Sequence, residues 1–285
     1  MEINQTLLVP FIRQALSEDV GDGDHTSLST IPAGKQGAAS LQIKDDGVLA
    51  GIEISKYIFK EVDPNLKLEI LIEDGTAVKV GDIAFYVSGS VHSILIAERL
   101  VLNIMQRMSG IATTTRKVVS ALKDTKTKVL DTRKTTPGLR YLEKMAVKIG
   151  GGVNHRFGLY DMILIKDNHV DYAGGTVNAI QAARSYLQFK NLNIGIEIEV
   201  RNLIELQEVL AVGGIDRIML DNFSFDLLRQ AVSLIDGRFL TEASGGITEE
   251  TVLDYAHCGV DFISMGSLTH SVKSLDMSLK AIKNN

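Results

Sequence analysis

One cysteine, Cys258, stands in 285 residues. A disulfide framework or an all-cysteine zinc site within the chain is therefore excluded. Late in a helical segment, Cys258 reads as a small buried residue rather than a catalytic thiol. Long apolar runs are also missing: none approaches the roughly 18 to 20 residues that a membrane-spanning helix needs. The opening stretch, MEINQTLLVPFIRQALSEDV, has no basic start and no long apolar core, and Pro10 interrupts it, so it does not read as a secretory signal. Cytoplasm is the expected location, and the triplets Asn4-Gln5-Thr6 and Asn222-Phe223-Ser224 carry no glycosylation meaning there. Positive charge is not in excess, with a formal net charge of −5, which argues against bulk binding to nucleic acid or an anionic membrane. Neither G-x-G-x-x-G nor G-x-x-x-x-G-K-[ST] occurs, which weakens dinucleotide-binding and P-loop readings. The acidic turn from Glu18 to Asp24 lacks the final glutamate of a calcium loop and reads as a solvated turn.

The chain can form one large barrel or two domains, and its patterning favours two. Residues 5–19 read as a helix. Leu41–Ile43 and Val48–Ala50 read as short strands around the hairpin signal Asp45-Asp46-Gly47, with a helix at Ser55–Val62 and a strand at Leu66–Ile72. This half is α+β. Over Ser93–Met108 the period becomes helical, with Ile96, Leu100, Ile104 and Met108 on one stripe. Ser109-Gly110 predicts a break and a domain boundary before a second helix, Ile111–Leu122. Beyond residue 128, apolar strands at Val129-Leu130, Met162–Ile165, Ile194–Val200, Arg217–Leu220, Phe239–Ala243 and Phe262–Met265 alternate with helices at Leu139–Ile149, Val177–Leu187, Leu203–Val212, Phe225–Ile235 and Glu249–His257. Alternation at this spacing means βαβ units and a parallel sheet. Asp131, Lys166, Glu199, Asp221, Ser244 and Gly266 all fall at or just after strand C-termini. That end carries the active site in a β/α barrel, so a barrel, incomplete at six or seven strands, is the expected architecture.

Three groups of residues carry chemistry. Between Asp131 and His169 stand seven Lys or Arg against four Asp or Glu, contrary to the overall charge. Arg133 and Lys134 precede Thr-Thr-Pro-Gly, His155 and Arg156 follow three glycines, and Lys166 ends an apolar run. Cations at strand ends beside glycine backbone suit a polyanionic small molecule better than a solvated face. Ser244-Gly245-Gly246 and Gly266-Ser267 follow the last two strands and suit a phosphate held by backbone N–H groups, with Thr248 as a candidate N-cap. Glu197 and Glu199 share one face of Ile-Glu-Ile-Glu-Val, and Asp221 ends the next strand. Carboxylates there suit ribose hydroxyls or a Mg²⁺ carried by a substrate phosphate, whereas no histidine pair is spaced for zinc. For Glu197 a salt-bridged interior role and a direct role stay equally open.

Eight stretches, AERLVLNIMQRMSGIA (Ala97–Ala112), LDTRKTTPG (Leu130–Gly138), GGGVNHRFG (Gly150–Gly158), LIKDNH (Leu164–His169), EIEV (Glu197–Val200), LDN (Leu220–Asn222), ASGGI (Ala243–Ile247) and GSLTHS (Gly266–Ser271), occur in this order. The chain resembles the nicotinate-nucleotide pyrophosphorylase (carboxylating), or quinolinate phosphoribosyltransferase, family on these residues, almost to the C-terminus. His25, in DHTS where the family more often has an aliphatic residue, lies outside the matched motifs.

The resemblance implies an incomplete seven-stranded α/β barrel over 110–270, an N-terminal α+β sandwich domain over 1–109, and a C-terminal helix over 271–285 returning toward that domain. It implies conversion of quinolinate and 5-phosphoribosyl 1-diphosphate to nicotinate mononucleotide, diphosphate and CO₂ in de novo NAD biosynthesis. Mg²⁺ would accompany the diphosphate substrate. It further implies a homodimer or larger homo-oligomer with shared active sites. Carried over, Arg133, His155 and Arg156 would clamp the quinolinate carboxylates, and Lys166 would sit between the substrates. Thr132, Lys134 and Met265 would join the substrate-binding set. Glu199 and Asp221 would hold ribose hydroxyls and the Mg²⁺, directly or through water. Ser244, Gly245, Gly246, Gly266 and Ser267 would cradle the 5-phosphate, and Arg107 would reach into the partner's site. Lys166, Glu199 and Asp221 form the expected catalytic set. A Schiff-base aldolase using Lys134 or Lys166, a non-catalytic phosphoribosyl-binding regulator, and a paralogue acting on another acid remain as alternatives.

Overall fold

The computed structural model describes residues 3–282. From the N-terminus, α1 (Gln5–Val20) and α2 (His25–Thr30) precede β1 (Gln36–Ile43). Then come β2 (Gly47–Val48), α3 (Ile52–Val62), β3 (Lys67–Ile70), β4 (Ala77–Val78) and β5 (Ile83–Ser90). The long helix α4 (Val91–Ala121) leads to β6 (Lys128–Leu130), α5 (Arg140–Ile149), β7 (Ile163–Ile165), α6 (Asp167–Ala173) and α7 (Thr176–Lys190). The remaining elements are β8 (Ile196–Val200), α8 (Leu203–Val212), β9 (Arg217–Asp221), α9 (Phe225–Ile235), β10 (Leu240–Ser244), α10 (Val252–Ala256), β11 (Phe262–Ser264), α11 (Ser267–His270) and β12 (Met277–Ala281).

The chain divides into two compact units. The first takes the described residues of Met1–Arg116, Thr136–Gly151 and Ser271–Asn285; the second takes Lys117–Thr135 and Gly152–His270. The boundary expected at 109/110 therefore falls elsewhere. α4 runs unbroken through Ser109-Gly110. A Cβ on Gly110 would lie 2.2 Å from the Lys273 carbonyl oxygen, and the buried Ser109 hydroxyl donates to the Ala50 carbonyl while accepting the Ala50 N–H. The pair is a packing site for neighbouring backbone, not a helix break, and tertiary contact outweighs the propensity cost of one glycine.

In the second unit the strands are parallel, in the order β6-β11-β10-β9-β8-β7. A single parallel bridge, Leu130 to Val153, adds a seventh position beside β6. Among the described residues that bridge and β7 end the row, so the seven-membered barrel is open. β8 is buried along its whole length. Its Ile196, Ile198 and Val200 each contribute about 1.5–3 kcal/mol by leaving water. Asn202 accepts the Ile204 and Glu205 N–H groups and Ser224 accepts that of Leu227, so α8 and α9 start immediately after their strands. Those caps end β8 and β9 at Glu199-Val200 and Asp221. The helix expected over 249–257 forms only over Val252–Ala256, so Thr248 opens a turn rather than capping a helix.

The first unit holds the antiparallel sheet β12-β1-β5-β3. The expected hairpin around Asp45-Asp46-Gly47 does not form, because β2 pairs with β4. The C-terminal helix expected over 271–285 is also corrected. Met277–Ala281 is a strand lying along β1 from Met277 opposite Ile43 to Ala281 opposite Ala39. The segment does return to the N-terminal sheet, but as an edge strand. Residues 1, 2 and 283–285 lie outside the described residues. No described helix is long and apolar enough to cross a membrane.

Candidate active site

A cavity of about 850 Å³ opens at the C-terminal ends of the second unit's strands. Fourteen expected site residues line it, all except Arg107. They fall into three walls.

Arg133, His155, Arg156 and Lys166 supply the cations. Arg156 donates to the Met162 carbonyl at 3.2 Å. Burial lowers its pKa, and the neighbouring Arg133 charge lowers it further. Two guanidiniums that repel each other across a cavity wall form an anion site, because an anion relieves the repulsion.

Glu199 and Asp221 form the acidic wall. Burial raises the pKa of each; Lys166 opposes the shift at both, while the Asp221 charge adds to it at Glu199. Lys166 Nζ lies 3.5 Å from Glu199 Oε2. Two adjacent carboxylates with hard oxygen donors fit a Mg²⁺ or a pair of hydroxyls.

Ser244, Gly245, Gly246, Gly266 and Ser267 form the third wall. Gly245 has φ +102°, and a Cβ there would sit 2.2 Å from Asn222 Oδ1. Asn222, itself at φ 55°, donates its backbone N–H to the Ser244 carbonyl. Ser244 pairs with Asp221 in the β9–β10 register. The glycine turn thus lets two neighbouring strand ends close together and brings side-chain-free backbone to the cavity lining, the kind of surface on which N–H groups can hold a phosphate. Lys134 crosses this wall, its Cδ lying 3.0 Å from the Cβ position of Gly266. Thr132 Oγ1 accepts the Lys134 N–H, which ties that loop back.

Sequence reasoning missed what lies beneath. His155 Nε2 is 3.1 Å from Glu197 Oε2 and 3.4 Å from Glu242 Oε2. Arg217 Nη1 is 2.9 Å from Glu242 and 3.8 Å from Glu197. His155 and both glutamates are buried. Of the two readings left open for Glu197, its burial and its pairing with His155 and Arg217 favour the interior, ion-paired one. Burial alone would lower the His155 pKa, but hydrogen bonds to the two glutamates outweigh it and raise it to about 9. Burial and the Glu242 charge raise Glu197 to about 7. Burial opposes but does not cancel the His155 bond that lowers Glu242. At neutral pH the cluster therefore keeps the His155 proton, with Glu197 in the middle of its titration. The period-2 pattern of Leu240–Ser244 puts Glu242 on the Ser244 face, the signal that could have found it.

Arg107 belongs to the first unit. Its Nε donates to Glu143 Oε1 at 2.8 Å and its Nη2 to Thr136 Oγ1 at 3.0 Å. The guanidinium expected to stand free for a neighbour is held by its own chain, because the buried Glu143 needs a counter-ion.

The quinolinate phosphoribosyl transferase C-terminal domain family matches residues 111–280, and the N-terminal domain of the same family matches residues 24–109. The chain belongs to the quinolinate phosphoribosyltransferase family. It is 49 % identical over 284 residues to quinolinate phosphoribosyltransferase [decarboxylating] 1b of Nicotiana tabacum, covering 94 % of this chain and 81 % of that one. It is 43 % identical to the probable nicotinate-nucleotide pyrophosphorylase [carboxylating] of Bacillus subtilis (strain 168), over 99 % of this chain and 96 % of that one. Among solved structures, NadC from Streptococcus pyogenes aligns with TM-score 0.93 at 40 % identity, covering 99 % of this chain and 100 % of that one. Both domains of the family are thus present, and the cavity lies within the part that matches the family's C-terminal domain.

Proposed function

We infer that the chain is a quinolinate phosphoribosyltransferase, a pentosyltransferase that converts quinolinate and 5-phosphoribosyl 1-diphosphate to nicotinate mononucleotide, diphosphate and CO₂. The observation that carries this reading is the sorting of one cavity into a cation wall, a carboxylate pair and a glycine cradle, in a chain of this family. A dianionic pyridine acid needs paired guanidiniums, and Arg133 and Arg156 would clamp its carboxylates with His155. Glu199 and Asp221 would orient the ribose hydroxyls, and their donor set fits the Mg²⁺ that neutralises diphosphate charge. Ser244, Gly245, Gly246, Gly266 and Ser267 would hold the 5-phosphate, with Lys134, Thr132 and Met265 beside it.

The ring nitrogen of quinolinate is itself the nucleophile, so no side-chain base is required. It attacks the ribose C1 carbon as the bond to diphosphate breaks. The residues would act by positioning two anions against their mutual repulsion and by stabilising the departing diphosphate, with Lys166 between the two substrates. The pyridinium formed then accepts the electron pair left when the 2-carboxylate departs as CO₂, and a proton takes its place on the ring. The place of the reaction in de novo NAD biosynthesis follows from its product.

The finer expectations join this proposal. A homodimer or larger assembly would share its sites, with Arg107 acting on the partner's substrate after exchanging its Glu143 contact, and the chain would work in the cytoplasm. The test is release of CO₂ from carboxyl-labelled quinolinate. It should depend on 5-phosphoribosyl 1-diphosphate and yield nicotinate mononucleotide; no release from quinolinate with both substrates present would overturn the reading.

A further inference from the structure

The charges beneath the cavity include residues to which no substrate role has been given. His155 is restrained on three sides. Its backbone N–H donates to Asp131 Oδ1 at 2.8 Å, and Asp131 is fully buried. Its Nδ1 accepts the Arg156 backbone N–H at 2.7 Å. Its Nε2 faces Glu197 and Glu242 at 3.1 and 3.4 Å. The ring therefore links the main chain that carries Arg156 to two buried carboxylates on other strands. Rotating the ring would leave those carboxylates with one donor fewer and break the bond to the Arg156 amide.

Arg217 completes the support. Its Nη1 reaches Glu242 at 2.9 Å, and its guanidinium carbon lies 4.4 Å from the centre of the Phe262 ring. Without it, two buried carboxylates would face each other across a single histidine. Glu242 is fully buried yet borders the cavity, so it lies between the cavity floor and the buried cluster.

Resting on the functional reading above, we propose that Glu242 and Arg217 are positioning residues for binding of the dicarboxylic acid: with Glu197 they fix the His155 ring, and through it the Arg156 main chain, that together face the acid. Neither residue touches the acid. Glu242 also bonds Ser264, two residues before the Gly266 end of the cradle, and a glutamine keeps an oxygen for that bond, so removing the charge alone falls on the cation wall. The charge of the support therefore selects for the acid.

The experiment compares wild type with Glu242→Gln, which keeps the side-chain size and removes the charge. KM for quinolinate should rise about tenfold, the loss expected for one charge-assisted hydrogen bond. KM for 5-phosphoribosyl 1-diphosphate and kcat at saturating acid should stay within about twofold, well short of the tenfold that one such bond is worth. Arg217→Lys, which keeps the positive charge, should give a smaller rise with the same selectivity, and it decides the matter where Glu242→Gln does not fold. The ¹⁵N signals of the His155 ring, assigned with His155→Asn and recorded without substrate, should move in Glu242→Gln. An unmoved ring overturns the proposal whatever the chain acts on. Unchanged quinolinate KM, or both KM values rising together with a lowered melt, also overturns it, since a purely structural role predicts the latter. If wild type binds no quinolinate, the functional reading falls, and the ring signals alone decide whether the cluster positions His155.

Discussion

Two layers of charge lie under one cavity, and they are arranged oppositely. At the mouth, Arg133 faces Arg156, and Glu199 faces Asp221, so like charges neighbour each other. In the layer beneath, His155, Glu197, Glu242 and Arg217 alternate in sign within about one hydrogen bond of each other. A folded chain tolerates like charges side by side only where water or a ligand screens them. The mouth is therefore built to be completed by a ligand of mixed charge, while the lower layer balances its charges within the chain. The contrast separates binding groups from supporting ones more sharply than residue type does, since each layer holds arginine and glutamate.

The largest effect should come from removing a mouth cation. Lys166→Ala and Arg133→Ala should lower turnover or quinolinate affinity by about thirtyfold or more, taking roughly 2 kcal/mol as the least cost of losing one partner of a desolvated charge pair. Their thermal melts should stay close to wild type, because the Lys166 side chain that pairs with Glu199 is itself half exposed and an exposed ion pair contributes little to stability. Steady-state kinetics beside a melting curve checks this, and near-wild-type kinetics in either variant would remove that residue from the site.

Next in size is a test of Arg107, which is paired within its own chain yet is assigned to a partner's site. Arg107→Ala and Lys166→Ala, each inactive, should regain activity when mixed under subunit exchange. Half the dimers would be hybrids with one intact site, so activity should approach about a quarter of wild type. No recovery after verified exchange would assign Arg107 to its own chain. Smaller and more selective changes are expected on the acidic wall. Glu199→Gln and Asp221→Asn should weaken use of 5-phosphoribosyl 1-diphosphate while sparing quinolinate binding. Calorimetry with each substrate separately would expose an error of sides.

The smallest effect concerns the lower layer and pH. His155 and Glu197 hold protons in the folded state to about pH 9 and about pH 7, above the roughly 6.5 and 4.3 of free side chains. A folded state that binds more protons than the unfolded one loses stability as pH rises. The Glu197 contribution therefore fades on the way up to about pH 7. The His155 contribution, complete below about pH 6.5, is lost as pH rises through about 9. The melting temperature should fall between pH 7 and pH 9.5, and His155→Asn should flatten that slope; an unchanged slope would place the proton elsewhere.

The mouth was legible in the sequence because parallel strands buried on both faces read as apolar runs, so Lys166, Glu199, Asp221 and Ser244 stand out where the runs stop. Glu242 and Arg217 sit inside or at the start of their strands, and only the register that sets Glu242 opposite Met219 and Arg217 opposite Glu197 brings them to His155. Ser109-Gly110 misled because glycine freedom and glycine close packing look alike in one dimension. Met277–Ala281 misled because a five-residue edge strand draws its conformation from β1, some 240 positions earlier, rather than from its own propensities.

That last strand has a consequence for the order in which the molecule can be made. β1 lies between β5 and β12, and β12 emerges from the ribosome only after the whole second unit. Through the synthesis of the entire second unit, β1 therefore presents a bare row of backbone donors and acceptors. The second unit can close while the first still waits for its final strand. A nascent or clipped chain ending before Met277 would carry that open edge as a ready template for another strand. The danger period of this protein is thus set by where its closing piece is encoded, and a ribosome that pauses near residue 270 would prolong it.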